Sequence, residues 1–205
     1  MRRQGTICAL LLVGFLAGSV LADDTFPPPW TRGGPRTTCQ DWTFATNTNP
    51  TGPDMGSMNP YGIPTATIVG GTWYQNYDNH VGAWYLGSNS YIDLLIPNVL
   101  DHPEWNKMVW TQLTWSPFDP GDTAPPEVYV DGFQSRRMKT VPAHDSWLQS
   151  AWLTTLPYNP EFETVRITGL IYVGEVVVDT KCIPEPATLS LLALGGLALI
   201  RRRRK

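Results

Sequence analysis

The chain is short of several things, and each shortage excludes a class of function. It has three cysteines in 205 residues, too few for a disulfide-dense scaffold or a cysteine-rich zinc module. Its three histidines, His80, His102 and His144, stand far apart, and no pair has the i, i+2 or i, i+4 spacing of a metal-binding strand or helix. No serine sits in a Gly-x-Ser-x-Gly elbow, and no motif surrounds Cys39 or Cys182, so nucleophilic catalysis has no sequence support. Helical periodicity is scarce. Residues 94–104 are interrupted by Pro97 and Pro103, and the best helical stretch, 145–153, reads better as a strand.

Cations are scarce too, once the two ends are set aside. All 18 Asp and Glu lie between Asp23 and Glu185, whereas two of the 15 Lys and Arg stand at the N-terminus and five at the C-terminus. The body therefore sets eight cations against 18 anions, a net charge of −10. Nucleic acid and anionic lipid both demand a basic face, so neither is an expected partner.

The N-terminus has the order of a secretory signal peptide. Arg2 and Arg3 supply a cationic start, residues 7–21 an apolar stretch, and Val20-Leu21-Ala22 the small residues of a cleavage site between Ala22 and Asp23. Cys8 lies early in the apolar stretch with no lipobox, which argues against a lipoprotein. Retention of the segment as an uncleaved anchor is the alternative.

The C-terminus has three parts in sequence. Pro184, Glu185 and Pro186 come first, an uncharged Leu- and Ala-rich run (187–200) follows, and Arg201, Arg202, Arg203, Arg204 and Lys205 close the chain. The prolines end any preceding strand. The apolar run can be a helix in lipid, and the cations hold its end on the cytoplasmic side. As a helix it would rise about 21 Å, short of the ~30 Å hydrocarbon core, and Gly195-Gly196 weakens its middle. Such a span makes a poor permanent anchor and an adequate temporary one.

This tail resembles a PEP-CTERM protein-sorting domain, and the resemblance is confined to residues 183–205. It implies export across the inner membrane and recognition by an exosortase, an integral-membrane processing enzyme. Cleavage near the motif and delivery to the cell surface or extracellular matrix would follow. Nothing in it describes what the body does.

Between the ends, residues 23–36 read as a linker, since Pro27 to Pro29 and Gly33-Gly34-Pro35 build no regular element. Residues 37–182 show short β-prone runs separated by Gly, Pro, Asn and Asp. Expected strands are 41–45, 65–69, 72–77, 81–86, 91–96, 107–115, 126–130, 138–141, 146–155, 163–168 and 170–179. In the run from Glu163, Val165 and Ile167 share one face, and Thr164, Arg166 and Thr168 the other. Gly174 interrupts an otherwise continuous final strand and marks a bulge or a close approach. Together these predict an all-β antiparallel sandwich, jelly-roll-like, and nine Trp supply enough aromatic surface to keep so Gly- and Pro-rich a chain folded.

Loss of Cys8 with the signal peptide leaves Cys39 and Cys182, an even pair in an oxidising compartment and so a disulfide candidate. A bridge between them would contribute about 4–5 kcal/mol in the chain-entropy account. Asp119, Asp122, Asp131, Glu175 and Asp179 offer oxygen ligands of the kind calcium takes, but without a calcium-loop spacing; solvent-facing charge is the plainer account. No other cofactor is expected.

The aromatics are the most suggestive feature. Trp73, Tyr74, Tyr77, Trp84, Tyr85, Trp110 and Trp115 crowd the expected strands. Core packing is their default use. Neighbours in a strand point to opposite faces, however, so one of Trp73 and Tyr74, and one of Trp84 and Tyr85, should lie outside the core. Rings exposed in this way could stack on sugars of an extracellular polysaccharide. The expected function is that of an exported, non-enzymatic surface or matrix protein with glycan association; the alternative is an exported polysaccharide-active hydrolase, whose paired carboxylates the sequence does not locate.

Overall fold

The computed structural model describes residues 24–184, apart from residues 55, 100, 120, 122 and 123. The Ala22–Asp23 cleavage site, Glu185, Pro186, the 187–200 span and the cations Arg201 to Lys205 lie outside the described residues. Every regular element among the described residues is a strand: β1 (Thr37–Trp42), β2 (Thr65–Val69), β3 (Thr72–Tyr77), β4 (His80–Leu86), β5 (Tyr91–Pro97), β6 (Asn106–Pro117), β7 (Glu127–Val130), β8 (Phe133–Gln134), β9 (Arg136–Pro142), β10 (Leu148–Leu156), β11 (Phe162–Thr168) and β12 (Ile171–Ile183). The 145–153 stretch is thus a turn running into β10, in line with the strand reading. The described residues contain no helix long and apolar enough to cross a membrane.

The strands form two antiparallel sheets. The larger runs β3-β4-β12-β6-β10-β9, with β1 also paired to β12; the smaller runs β2-β5-β11-β7-β8. Strand β12 is the spine of the larger sheet. One side pairs with β6 from Ile171 to Ile183, while the other meets β4 over residues 171–173 and β1 over 176–181. Residues 171–180 of this strand are also buried on both faces, which is why its sequence reads as a nearly unbroken apolar run.

Alternation decides what faces inward. Leu113, Trp115, Val173, Val176 and Val178 of the larger sheet meet Ile92, Leu94, Val165 and Ile167 of the smaller in one buried cluster. Each such side chain stabilises the fold by about 1.5–3 kcal/mol. In β11 the observed pattern has Val165 and Ile167 buried and Arg166 exposed, as the alternation required. At Gly174 the β12–β6 register shifts by one residue, so Tyr172 faces outward while Val173 and Val176 both face in.

The expected disulfide is not formed; Cys39 and Cys182 are free. First and last strands do pair, but Cys39 stands opposite Asp179, three residues short of Cys182. Three residues are about 10 Å of strand, and an odd offset turns the two side chains to opposite faces of the sheet. Burial pushes the Cys39 thiol up to about 12, and burial raises the Cys182 thiol as well.

The expected linker has no strand, as its prolines require, yet residues 24–36 are fastened across the outer face of the larger sheet. Phe26 is buried with Trp110 and Ala151, and its N–H donates to Gln112 Oε1 at 2.9 Å. Its carbonyl accepts from Trp110 Nε1 at 2.8 Å. Arg32 forks onto both oxygens of the fully buried Asp179, at 2.5 and 2.6 Å, and also bonds Asp24. This N-terminal strap covers the end of the outer face that lies beside Ile183.

Candidate functional site

The other end of that face is open and lined with rings. Alternation turns Trp73 and Trp84, directly opposite each other in the β3–β4 pair, towards the core. It turns Tyr74 and Tyr85 outward. Register then brings Tyr172 of β12 beside Tyr85 of β4. Tyr77 lies stacked on Tyr172, with ring centroids 3.6 Å apart and planes 15° from parallel. Tyr74 meets Tyr172 edge-on at 5.6 Å, and Tyr85 meets it at 5.1 Å. Phe118, just past β6, packs on Tyr85 at 5.0 Å and is held beside the start of β12 by its N–H bond to Leu170 O.

Burial grades these rings. Tyr172 is 7% exposed and forms the floor, whereas Tyr74 and Phe118 are 39% and 51% exposed. They stand on opposite sides of β4 and β12, and the three strand spacings from β3 to β6 amount to about 14 Å. Burial first, then Tyr77 and Tyr74, pushes the Tyr172 hydroxyl up to about 12, so it stays a hydrogen-bond donor through the physiological range.

A second group of rings adjoins the floor. Trp147 is fully buried, meets Tyr77 edge-on at 6.0 Å, and donates its indole N–H to Asp78 O. His80 lies 4.4 Å from Trp147 and 5.9 Å from His144. The close approach marked by Gly174 is here: a Cβ at that position would fall 2.4 Å from His80 Nε2 and 2.9 Å from Trp147 Cζ3. The nearby carboxylates are engaged locally. Asp78 accepts from Ser146, whose hydroxyl first and backbone N–H second hold its carboxyl below the usual range, and Asp145 accepts from Asn79.

Of the four residues expected to stack on sugar, Tyr74 and Tyr85 therefore lie in the outer patch, while Trp73 and Trp84 belong to the core side. Trp115 also faces the core, and Trp110 lies under the strap. Sequence reasoning did not bring in Tyr172, Phe118, Trp147, His80 and His144: strand register places Tyr172 and His80, and the turns after β6 and before β10 place the others. The acidic residues considered for calcium are dispersed. Asp119 accepts from Gly121 N, Asp131 from Thr164 N, Asp179 from Arg32; Glu175 is in β12, and Asp122 is outside the described residues. No group of three or more His, Cys, Asp or Glu that could hold a metal occurs among the described residues.

Fold and site together define a two-sheet antiparallel β-protein with an exposed aromatic face and a C-terminal extension. That extension, residues 183–205, matches the PEP-CTERM protein-sorting motif. The match leaves the β-domain itself unassigned, and no curated protein matches the chain. Among solved structures, a family 35 carbohydrate binding module from Clostridium thermocellum aligns at 17% identity with a TM-score of 0.35, over 55% of this chain and 90% of that one.

Proposed function

We propose that this is an exported cell-surface or extracellular-matrix protein whose β-domain holds extracellular polysaccharide on the Tyr74–Tyr172–Phe118 face. In this reading the chain divides into a signal peptide (1–22), the strap (23–36), the sandwich (37–182) and the sorting tail (183–205), with an exosortase as the processing partner. The path from β4 to β12 is read as a jelly roll: β4, β12, β6 and β10 form one layer, β5, β11, β7 and β8 the other, and the remaining strands extend the edges.

The observation that carries the binding role is the exposure of two rings, Tyr74 and Phe118, flanking a buried tyrosine floor. Exposed rings grouped around a shared aromatic floor mark a candidate interaction surface. Tyrosines offer an apolar face to the C–H side of a sugar ring and a hydroxyl to its polar edge. The acidic body suits neutral or cation-bridged glycans over polyanions.

Titration calorimetry with soluble matrix polysaccharide tests the reading. Tyr74→Ala and Phe118→Ala should each weaken binding about tenfold, the equivalent of ~1.4 kcal/mol of lost ring contact. Tyr91→Ala, on the other sheet beneath Arg166, should leave it unchanged. Equal affinity in the Tyr74/Phe118 double variant and the parent protein would remove this face from the binding role.

A further inference from the structure

At the end of the sandwich opposite the aromatic patch, the interior is polar. Lys107 and Glu163 are both fully buried between the sheets, with Nζ 3.4 Å from Oε1. Lys107 Nζ also donates to Asn98 Oδ1 at 2.7 Å, and Asn98 is itself buried. Burying a lysine and a glutamate is costly, and an ion pair in such a place gives little net stability over apolar residues of the same size. Both Glu163 oxygens moreover lack a well-directed hydrogen bond. The arrangement of an amine, a carboxamide and a carboxyl buried from bulk solvent is better understood as a set of reactants.

We propose that Lys107 and Asn98 become joined by an intramolecular isopeptide bond, with Glu163 as the proton carrier. The Lys107 ammonium passes a proton to Glu163, and the freed Nζ lone pair attacks Asn98 Cγ, the atom bonded to Oδ1. The carbonyl electron pair moves onto Oδ1, where the Val99 backbone N–H already donates at 2.8 Å and can stabilise the developing charge. The intermediate collapses by breaking Cγ–Nδ2. Glu163 delivers its proton to Nδ2 and takes up the one that Nζ sheds, so the leaving group departs as ammonia. One C–N bond forms, one breaks, and nothing is oxidised or reduced.

The surroundings favour each step. Burial pushes the Glu163 carboxyl up to about 7, against the pull of Lys107, so it can both hold and release a proton near neutrality. The Asn98 carboxamide is fixed in place, since its Nδ2 donates to Pro160 O at 2.9 Å and to Asn159 Oδ1. Holding amine and carbonyl within contact distance turns a very slow intermolecular reaction into an intramolecular one, and exclusion of water removes competing hydrolysis. The product ties the end of β5 to the start of β6, and so one sheet to the other. It does not depend on what the aromatic face binds.

Mass spectrometry of the folded protein tests this. Neither Lys nor Arg occurs between residues 37 and 106 or between 108 and 135, so trypsin should cut the unlinked chain into peptides 37–107 and 108–136. The linked chain resists cleavage after Lys107 and gives peptide 37–136, lighter by one ammonia, with no fragmentation between residues 98 and 107. Glu163→Gln, of nearly the same shape, should restore cleavage at Lys107 and the full mass while keeping the near-ultraviolet tryptophan spectrum of the folded protein. A folded parent protein with full mass and a cleavable Lys107 overturns the proposal. So does an ammonia loss that leaves Lys107 cleavable, because that would be a succinimide elsewhere. Linkage persisting in Glu163→Gln overturns the role given to Glu163.

Discussion

Replacing Arg32 by alanine should destabilise the protein through Asp179 rather than through the strap itself. The Asp179 side chain is fully buried and the Arg32 side chain one quarter exposed. Removing one partner of a fully enclosed ion pair costs about 3–5 kcal/mol; with water reaching the arginine side, about 2–3 kcal/mol is expected here. Asp179→Asn should cost only about 1 kcal/mol, because the guanidinium keeps Asp24 and can turn towards solvent. The double variant should cost little more than Asp179→Asn alone, a coupling of at least about 1 kcal/mol. Urea unfolding followed by tryptophan fluorescence measures all three.

The pH dependence of Arg32→Ala carries a second signature. Burial raises the Asp179 carboxyl above its ordinary value, and Arg32 opposes the rise. Without Arg32 the folded value moves higher still. A carboxyl raised in the folded chain holds a proton that the unfolded chain releases near pH 4, so its contribution is present at low pH and lost as pH rises through the folded value. The deficit of Arg32→Ala should therefore shrink between neutrality and pH 5. Additive costs in the cycle, or a deficit that ignores pH, would refute the reasoning.

Two further outcomes follow from local geometry. Gly174→Ala should cost about 1–3 kcal/mol, because its Cβ would overlap His80 and Trp147, and His80→Ala in the same chain should recover part of the loss in thermal melts. Cys39 and Cys182 should both alkylate after unfolding without reductant, and reductant should leave the melting curve unmoved; a folded protein lighter by two hydrogens at these cysteines would contradict the register.

Much of the strand pattern is written in the chain itself. β2 and β3 fall at the expected residues, because Thr, Ile, Val, Trp and Tyr are bounded by Gly and Asn turns. β8 escaped notice, being two residues long after Asp131-Gly132. The start of β1 was missed because Thr37, Thr38 and Gln40 look like loop yet are buried, meeting partners on β12 such as Thr180 and the Val178 carbonyl. The disulfide expectation failed on register, which parity of cysteines does not contain. The patch was half legible: alternation required one of Trp73 and Tyr74 to point outward but did not say which. Glu163 was legible too, since it shares parity with Val165 and Ile167 and so had to face inward.

Strand β12 gives the molecule a mechanical axis. Tyr172, the floor of the aromatic face, is near its beginning, and Ile183, where the sorting motif starts, is its last residue. The two points are about 36 Å apart along one continuous strand. A ligand tugging at the exposed rings of Tyr74, on β3, and Phe118, just past β6, and a tether holding the tail would pull β12 lengthwise against its neighbours. Its antiparallel neighbours β6 and β1 would then resist by shear, many hydrogen bonds strained together, instead of unzipping one at a time. A domain hung between a polymer and a cell would gain from being pulled in that direction.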